Sequence, residues 1–79
     1  MLMSSIVRDL LLQRWPARFP AEALRDEVPL GQDGLGLDSI ELVELVLACE
    51  DRAGRAATEE LFRGGQLTIG RLVAHFDAA

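Results

Sequence analysis

An aspartate and a serine stand side by side in "GLGLDSIELVEL", residues 34–45, between a glycine-rich approach and an acidic, apolar-striped run. A serine there could act as a nucleophile, cap a helix, or accept a covalent group on its hydroxyl, and its surroundings decide which. Nucleophilic hydrolysis needs a base within reach. His75 is the only histidine, falls late in a helical run and reads as an ordinary surface residue, so no enzymatic activity is expected. Cys49 is followed by Glu50 and Asp51, the wrong sign to stabilise a thiolate, and reads as a small core residue. Glu41 and Glu44 lack a histidine or a calcium-loop spacing and read as a solvated face, so no metal is expected. "GQDGLG" lacks both the βαβ context and the spacing of a dinucleotide loop.

The capping question narrows the role of the serine. Asp38 followed three residues later by Glu41 makes a reciprocal capping box. Ser39 as cap would find Leu42 at that position, which cannot reciprocate. Asp38 is therefore the cap and Ser39 the first helical residue, its hydroxyl not required by the backbone. The amides of a helix start suit a phosphate attached to that oxygen. Gly34 and Gly36 let the loop approach without side-chain bulk.

Four helical patterns position this serine. The first begins after Ser4 or Ser5, carries Ile6, Val7, Leu10, Leu11 and Trp15 at helical spacing, and is stopped by Pro16. Residues 16–37 form a long connection in which "AEALRDE" could make a helical turn. Phe19, Leu24, Val28, Leu30, Leu35 and Leu37 supply apolar anchors, so an ordered crossover is expected. The second helix runs from about Ser39 to Arg52, with Gly54 as its C-terminal cap. Leu42, Leu45, Val46 and Cys49 form its core-facing set, leaving Ile40, Val43 and Leu47 at the margin or outside, among acids. A short third helix fits "TEELFRGG", with Thr58 as cap and Gly64 as stop. In the last, Thr68 caps Ile69, Leu72, Val73 and Phe76, while Arg71 and His75 point elsewhere. The sum is an all-α fold, a small four-helix bundle of three main helices and one short one, with a long loop between the first two.

At 79 residues the chain is expected to be one domain spanning 1–79, with a net stability of roughly 3–5 kcal/mol. Its 49% hydrophobic and 27% charged composition is that of a globular chain, and one cysteine excludes an internal disulfide framework. No run approaches transmembrane length and no signal peptide is read, so a cytoplasmic protein with no membrane partner is expected. Of the net charge of −5, residues 26–51 hold −8 with no basic residue, between mildly basic ends. Such a field repels nucleic acid and attracts basic protein surfaces.

"LGLDSIELVEL" resembles the attachment motif of acyl carrier proteins, in which a serine after an aspartate opens the second helix. The likeness covers nearly the whole chain: helix, long loop, acidic helix, short helix and capped last helix follow in family order. It implies that Ser39 carries 4′-phosphopantetheine in phosphodiester linkage, whose thiol holds acyl groups as thioesters. It implies that Asp38 helps a phosphopantetheinyl transferase recognise the serine. Glu41, Glu44, Glu50 and Asp51 match the acidic face on which such carriers dock, and Ile40 and Leu47 match its exposed apolar contacts. Partners of this kind are an acyl-loading ligase or acyltransferase, a ketosynthase and other pathway enzymes with basic patches, met by a monomeric carrier in fatty-acid, polyketide or related biosynthesis. The chain departs from the pattern at Ala53, Ala56 and Ala57, where larger or β-branched residues are usual, and at Cys49. A smaller or looser acyl cleft is the expected consequence. Met1 and the full helix set suggest a free-standing protein.

Two other readings stand beside this one. A peptidyl or aminoacyl carrier differs mainly in the residues before the serine, and Asp38 suits an acyl carrier better. A cofactor-free acidic adaptor explains the charge block equally well but gives Ser39 no reason to be spare. Replacing Ser39 by alanine separates carrier from adaptor.

Overall fold

Apolar spacing at three points in the chain gives three α-helices, α1 (Met3–Arg14), α2 (Ser39–Ala53) and α3 (Ile69–Asp77). The computed structural model describes residues 3–63 and 65–77. Each helix packs against the other two. Two short 3-10 turns complete the fold, at Ala21–Ala23 and Glu59–Phe62. Among the described residues there is no strand, only an isolated antiparallel bridge between Pro29 and Thr68. The fold is the small all-α bundle that the sequence pattern implies.

α1 buries Ile6, Val7, Leu10 and Leu11 of the expected set, while Trp15 lies just past its end and packs half-buried against the core. Its start differs from expectation. Ser4 and Ser5 already lie within the helix, so neither caps it. The helix ends at Arg14, before Pro16, as expected.

The crossover from Trp15 to Asp38 is ordered by burial. Phe19, Leu24, Leu30 and Leu37 are buried in the same core as the helices, and Leu35 packs against it. Burying each such side chain contributes roughly 1.5–3 kcal/mol, which offsets the cost of ordering a segment with little regular structure. Backbone bonds fasten it to the start of α3: Leu30 N–H donates to Leu67 O at 2.8 Å, and Gly70 N–H to Asp26 O at 2.9 Å. Arg8 on α1 adds a bond from Nε to Leu24 O at 2.6 Å and an ion pair with Asp26 at 2.7 Å.

α2 buries Leu45, Val46 and Cys49, while Leu42 is only half-buried at the edge of that face. Gly54 caps its C-terminus in the left-handed conformation, as expected. On α3, Thr68 Oγ1 accepts from Arg71 N–H at 3.1 Å, a side-chain cap that the sequence predicts. Ile69, Leu72 and Phe76 are buried beneath it.

The predicted short helix over 58–65 is instead a single 3-10 turn, Glu59–Phe62, and Thr58 precedes it without a side-chain cap bond. Only Leu61 of this turn is buried, and Phe62 stays 59% exposed. One apolar anchor cannot hold a regular amphipathic helix against the core. The predicted stop, Gly64, lies outside the described residues. Polar contacts hold this segment instead. Arg71 donates to the carbonyls of Glu60, Leu61, Arg63, Gly65 and Gln66. His75 Nε2 accepts from Thr58 N–H at 3.2 Å.

Candidate functional site

The turn that delivers Ser39 is built on the backbone of residues 29–31. Leu35 N–H donates to Pro29 O at 2.9 Å, Gly36 N–H to Gly31 O at 2.8 Å, and Leu37 N–H to Leu30 O at 3.0 Å. This folds the chain so tightly that a Cβ at Gly34 would lie 2.0 Å from Pro29 O, a backbone atom that cannot move aside. Gly36 takes φ +78°, a region costly for a residue with a side chain. Leu37 is buried, which anchors the turn one residue before the cap.

Asp38 then caps α2 as the sequence requires. Its Oδ1 accepts from Glu41 N–H at 2.8 Å, and its own N–H donates to Glu41 Oε1 at 3.0 Å. Both halves of the capping box are present. Ser39 is consequently the first residue of α2 and is exposed, and its hydroxyl has no hydrogen-bond partner among the described residues. His75 engages Thr58 on the far segment, so no base is hydrogen-bonded to Ser39.

Beyond Ser39, the outer face of α2 carries Ile40 at 72% exposure, Val43 at 55% and Leu47 at 56%. Their i, i+3, i+7 spacing makes one apolar stripe on a surface helix, and exposed stripes of this kind mark contact surfaces. The acids expected to flank it are not equivalent. Glu44 pairs with Arg14 of α1 at 3.5 Å. Glu41 pairs with Arg18 at 2.6 Å. Glu50 turns inward, its Oε2 accepting from Ala57 N–H at 2.6 Å. Asp51 is exposed.

The Glu41 carboxyl is held below the ordinary glutamate range, first by its hydrogen bond from Arg18 and then by that from the Asp38 amide. Burial, with Glu50 alongside, pushes the Cys49 thiol up to about 11. That leaves Cys49 a core residue, as its flanking acids suggest. Among the described residues no cluster of three or more histidines, cysteines or acids could hold a metal ion. No helix among them is long and apolar enough to cross a membrane.

Comparison with known proteins meets this geometry from another side. No family model matches the chain. An acyl carrier protein of Saccharopolyspora erythraea is 41% identical over 54 residues, which make up 68% of this chain and 55% of that protein. The chain is acyl-carrier-like in sequence and in fold. The match supports its placement in the acyl carrier protein family, and the chain spans about half the length of the relative it matches.

Sequence reasoning missed Arg14 and Arg18 as part of this surface. The acidic block contains no basic residue, and its counter-charges arrive from the end of α1 and the turn that follows it. The signal was present in "RWPARF", where arginines alternate with aromatic rings at a chain reversal. Arg14 lies 5.8 Å from the centre of the Trp15 ring, and Arg18 lies 5.9 Å from Trp15 and 5.3 Å from Phe19. These rings fix the guanidinium groups near α2.

Proposed function

We propose that this chain is a non-catalytic acyl carrier, with Ser39 as the attachment point for 4′-phosphopantetheine and α2 as the docking helix. The observation that carries the reading is the capping box at Asp38 and Glu41, which leaves the Ser39 hydroxyl exposed and unclaimed at a helix start. The residues present fit the group. The hydroxyl opens to solvent, and the preceding Gly36 has open space around it. The helix-start amides favour the phosphodiester charge.

In loading, a phosphopantetheinyl transferase would take the hydroxyl proton onto its own base. The bond between Ser39 Oγ and phosphorus forms, the pyrophosphate bond of coenzyme A breaks, and the adenosine bisphosphate leaves. Asp38 holds α2 in register and presents a carboxylate beside the hydroxyl for the transferase to read. Once bound, the arm supplies a thiol that carries acyl groups as thioesters. The chain itself supplies no acid, base or nucleophile to the later chemistry. Ile40 and Leu47, with exposed Asp51 and the arginine-paired Glu41 and Glu44, form the surface that a loading ligase or acyltransferase, a ketosynthase or another pathway enzyme would meet. Glu50, expected there, is turned toward Ala57 at its edge. Each exposed charge pair contributes less than about 1 kcal/mol, so such docking steers and orients while staying transient. Fatty-acid and polyketide assembly are the routes this design suits, in a single cytoplasmic domain.

The test is intact mass after incubation with coenzyme A and a broad-specificity phosphopantetheinyl transferase, for wild type and Ser39→Ala. The wild type gains one phosphopantetheine and the variant none. A folded wild type that gains nothing, beside a control carrier that does, rejects the reading in favour of a cofactor-free adaptor.

A further inference from the structure

The chain reverses after α1 through Ala17, whose φ of 64° is left-handed and disfavoured for any residue with a Cβ. A disfavoured conformation persists only where its surroundings hold it. Here Arg18 N–H donates to Trp15 O at 3.2 Å, Phe19 is buried, and the Trp15 and Phe19 rings flank the guanidinium. The turn and the two rings thus hold the Arg18 side chain.

What it meets lies on both sides of Ser39. Nη1 bonds Glu41 Oε2 at 2.6 Å, and Nη2 bonds Glu41 Oε1 at 3.3 Å. Nη2 also donates to Gly36 O at 3.1 Å. Glu41 Oε1 is the same oxygen that accepts from the Asp38 amide. One guanidinium therefore ties the residue three before Ser39 to the residue two after it, and reaches the cap through the shared carboxylate.

We propose that Arg18 is a positioning residue for Ser39: a strut from the turn after α1 that fixes the attachment turn and neutralises Glu41, leaving Asp38 as the acid beside the hydroxyl that a transferase reads. The inference rests on the carrier reading and adds to it a residue outside the attachment motif. Lysine cannot replace it, because an ammonium group cannot make the forked contact to Glu41 and reach Gly36 O together.

The experiment measures transferase loading of wild type, Arg18→Ala, Arg18→Lys, Glu41→Ala and the double variant Arg18→Ala/Glu41→Ala. Amide exchange across 38–42 is followed on the same samples, each checked for folding by circular dichroism. In both Arg18 variants the kcat for loading falls roughly two- to fivefold, the scale of a pre-organised surface pair acting on orientation. KM stays within about twofold, because the acids that attract the transferase remain. Exchange across 38–42 quickens. In the Glu41→Ala background the Arg18 substitution costs less, since the strut has lost its main partner.

A purely structural role would lower thermal stability and leave the kcat of folded protein unchanged. Wild-type kcat in Arg18→Ala overturns the inference, and so does full restoration by Arg18→Lys, which would show that charge alone suffices. If Arg18→Ala does not fold, Arg18→Lys decides by the same measures. A wild type that no competent transferase loads overturns the carrier reading and this inference together. A wild type that loads beside an equally fast Arg18→Ala overturns this inference alone.

Discussion

Three substitutions at two adjacent residues, Asp38→Ala, Asp38→Asn and Ser39→Ala, separate the cap of α2 from the group it leaves free. Asp38→Ala removes the acceptor for Glu41 N–H at 2.8 Å and ends the capping box. Loss of an N-cap of this kind costs about 1 kcal/mol, within a range of roughly 0.5–2. In a domain of this size that lowers the melting temperature by about 4–8 °C. Asp38→Asn keeps an acceptor oxygen and restores most of that stability, because asparagine caps as well as aspartate. Ser39→Ala removes a hydroxyl that bonds nothing described and leaves a good helix former at an exposed position, so its shift should stay within about 0.5 kcal/mol. Thermal unfolding followed by circular dichroism reads all three. On the carrier reading proposed above, loading by a phosphopantetheinyl transferase reorders them. Ser39→Ala is inert though stable, Asp38→Asn loads slowly though capped, and Asp38→Ala is deficient in both. If Ser39→Ala destabilises as much as Asp38→Ala, Ser39 is a second cap and the case for a spare hydroxyl fails.

Three further outcomes follow from contacts elsewhere in the chain. Arg71→Met removes the donor for five backbone carbonyls between Glu60 and Gln66 and should cost about 1–3 kcal/mol. Amide exchange should quicken across that segment before it does in α1, and uniform quickening would contradict a local latch. Cys49, with its thiol pushed up to about 11, should resist an alkylating reagent at neutral pH. Protein carrying the proposed arm on Ser39 should therefore label once, at the arm's thiol, and equal labelling of Cys49 in folded protein would refute its burial. Glu41 has a depressed folded pKa, so its contribution is present above the ordinary value of 4.5 and is lost as pH falls through the lower folded value. The stability gap between wild type and Glu41→Gln should narrow as pH is lowered from about 7 to about 3, and a constant gap would refute the pairing with Arg18.

Much of this was legible because it depends on neighbours in the chain. The Asp38–Glu41 box, the Thr68 cap and the Gly54 stop each rest on residues at most four positions apart, and each appears as read. The exposed stripe of Ile40, Val43 and Leu47 followed from helical spacing alone. The readings that the structure modifies depend on contacts the sequence does not announce. Ser4 and Ser5 can cap in principle, but the helix begins before them. The short helix over 58–65 has favourable acids at its start, yet only Leu61 reaches the core. The acidic block reads as one uniform face, whereas Glu41, Glu44 and Glu50 each have a partner distant in sequence or across a turn.

This partial neutralisation bears on how the α2 surface would select a partner. With Arg14 and Arg18 beside Glu44 and Glu41, the end of α2 near Ser39 carries both signs of charge. Asp38 and Asp51 remain exposed at opposite ends of the helix, with the apolar stripe between them. A uniformly basic patch would gain long-range attraction from the net charge of −5 but would set Arg14 and Arg18 against like charge on close approach. A partner with basic groups spaced to reach the two exposed aspartates, and an apolar centre to cover Ile40, Val43 and Leu47, avoids that conflict. The net charge then governs encounter, and the local pattern governs which encounters last.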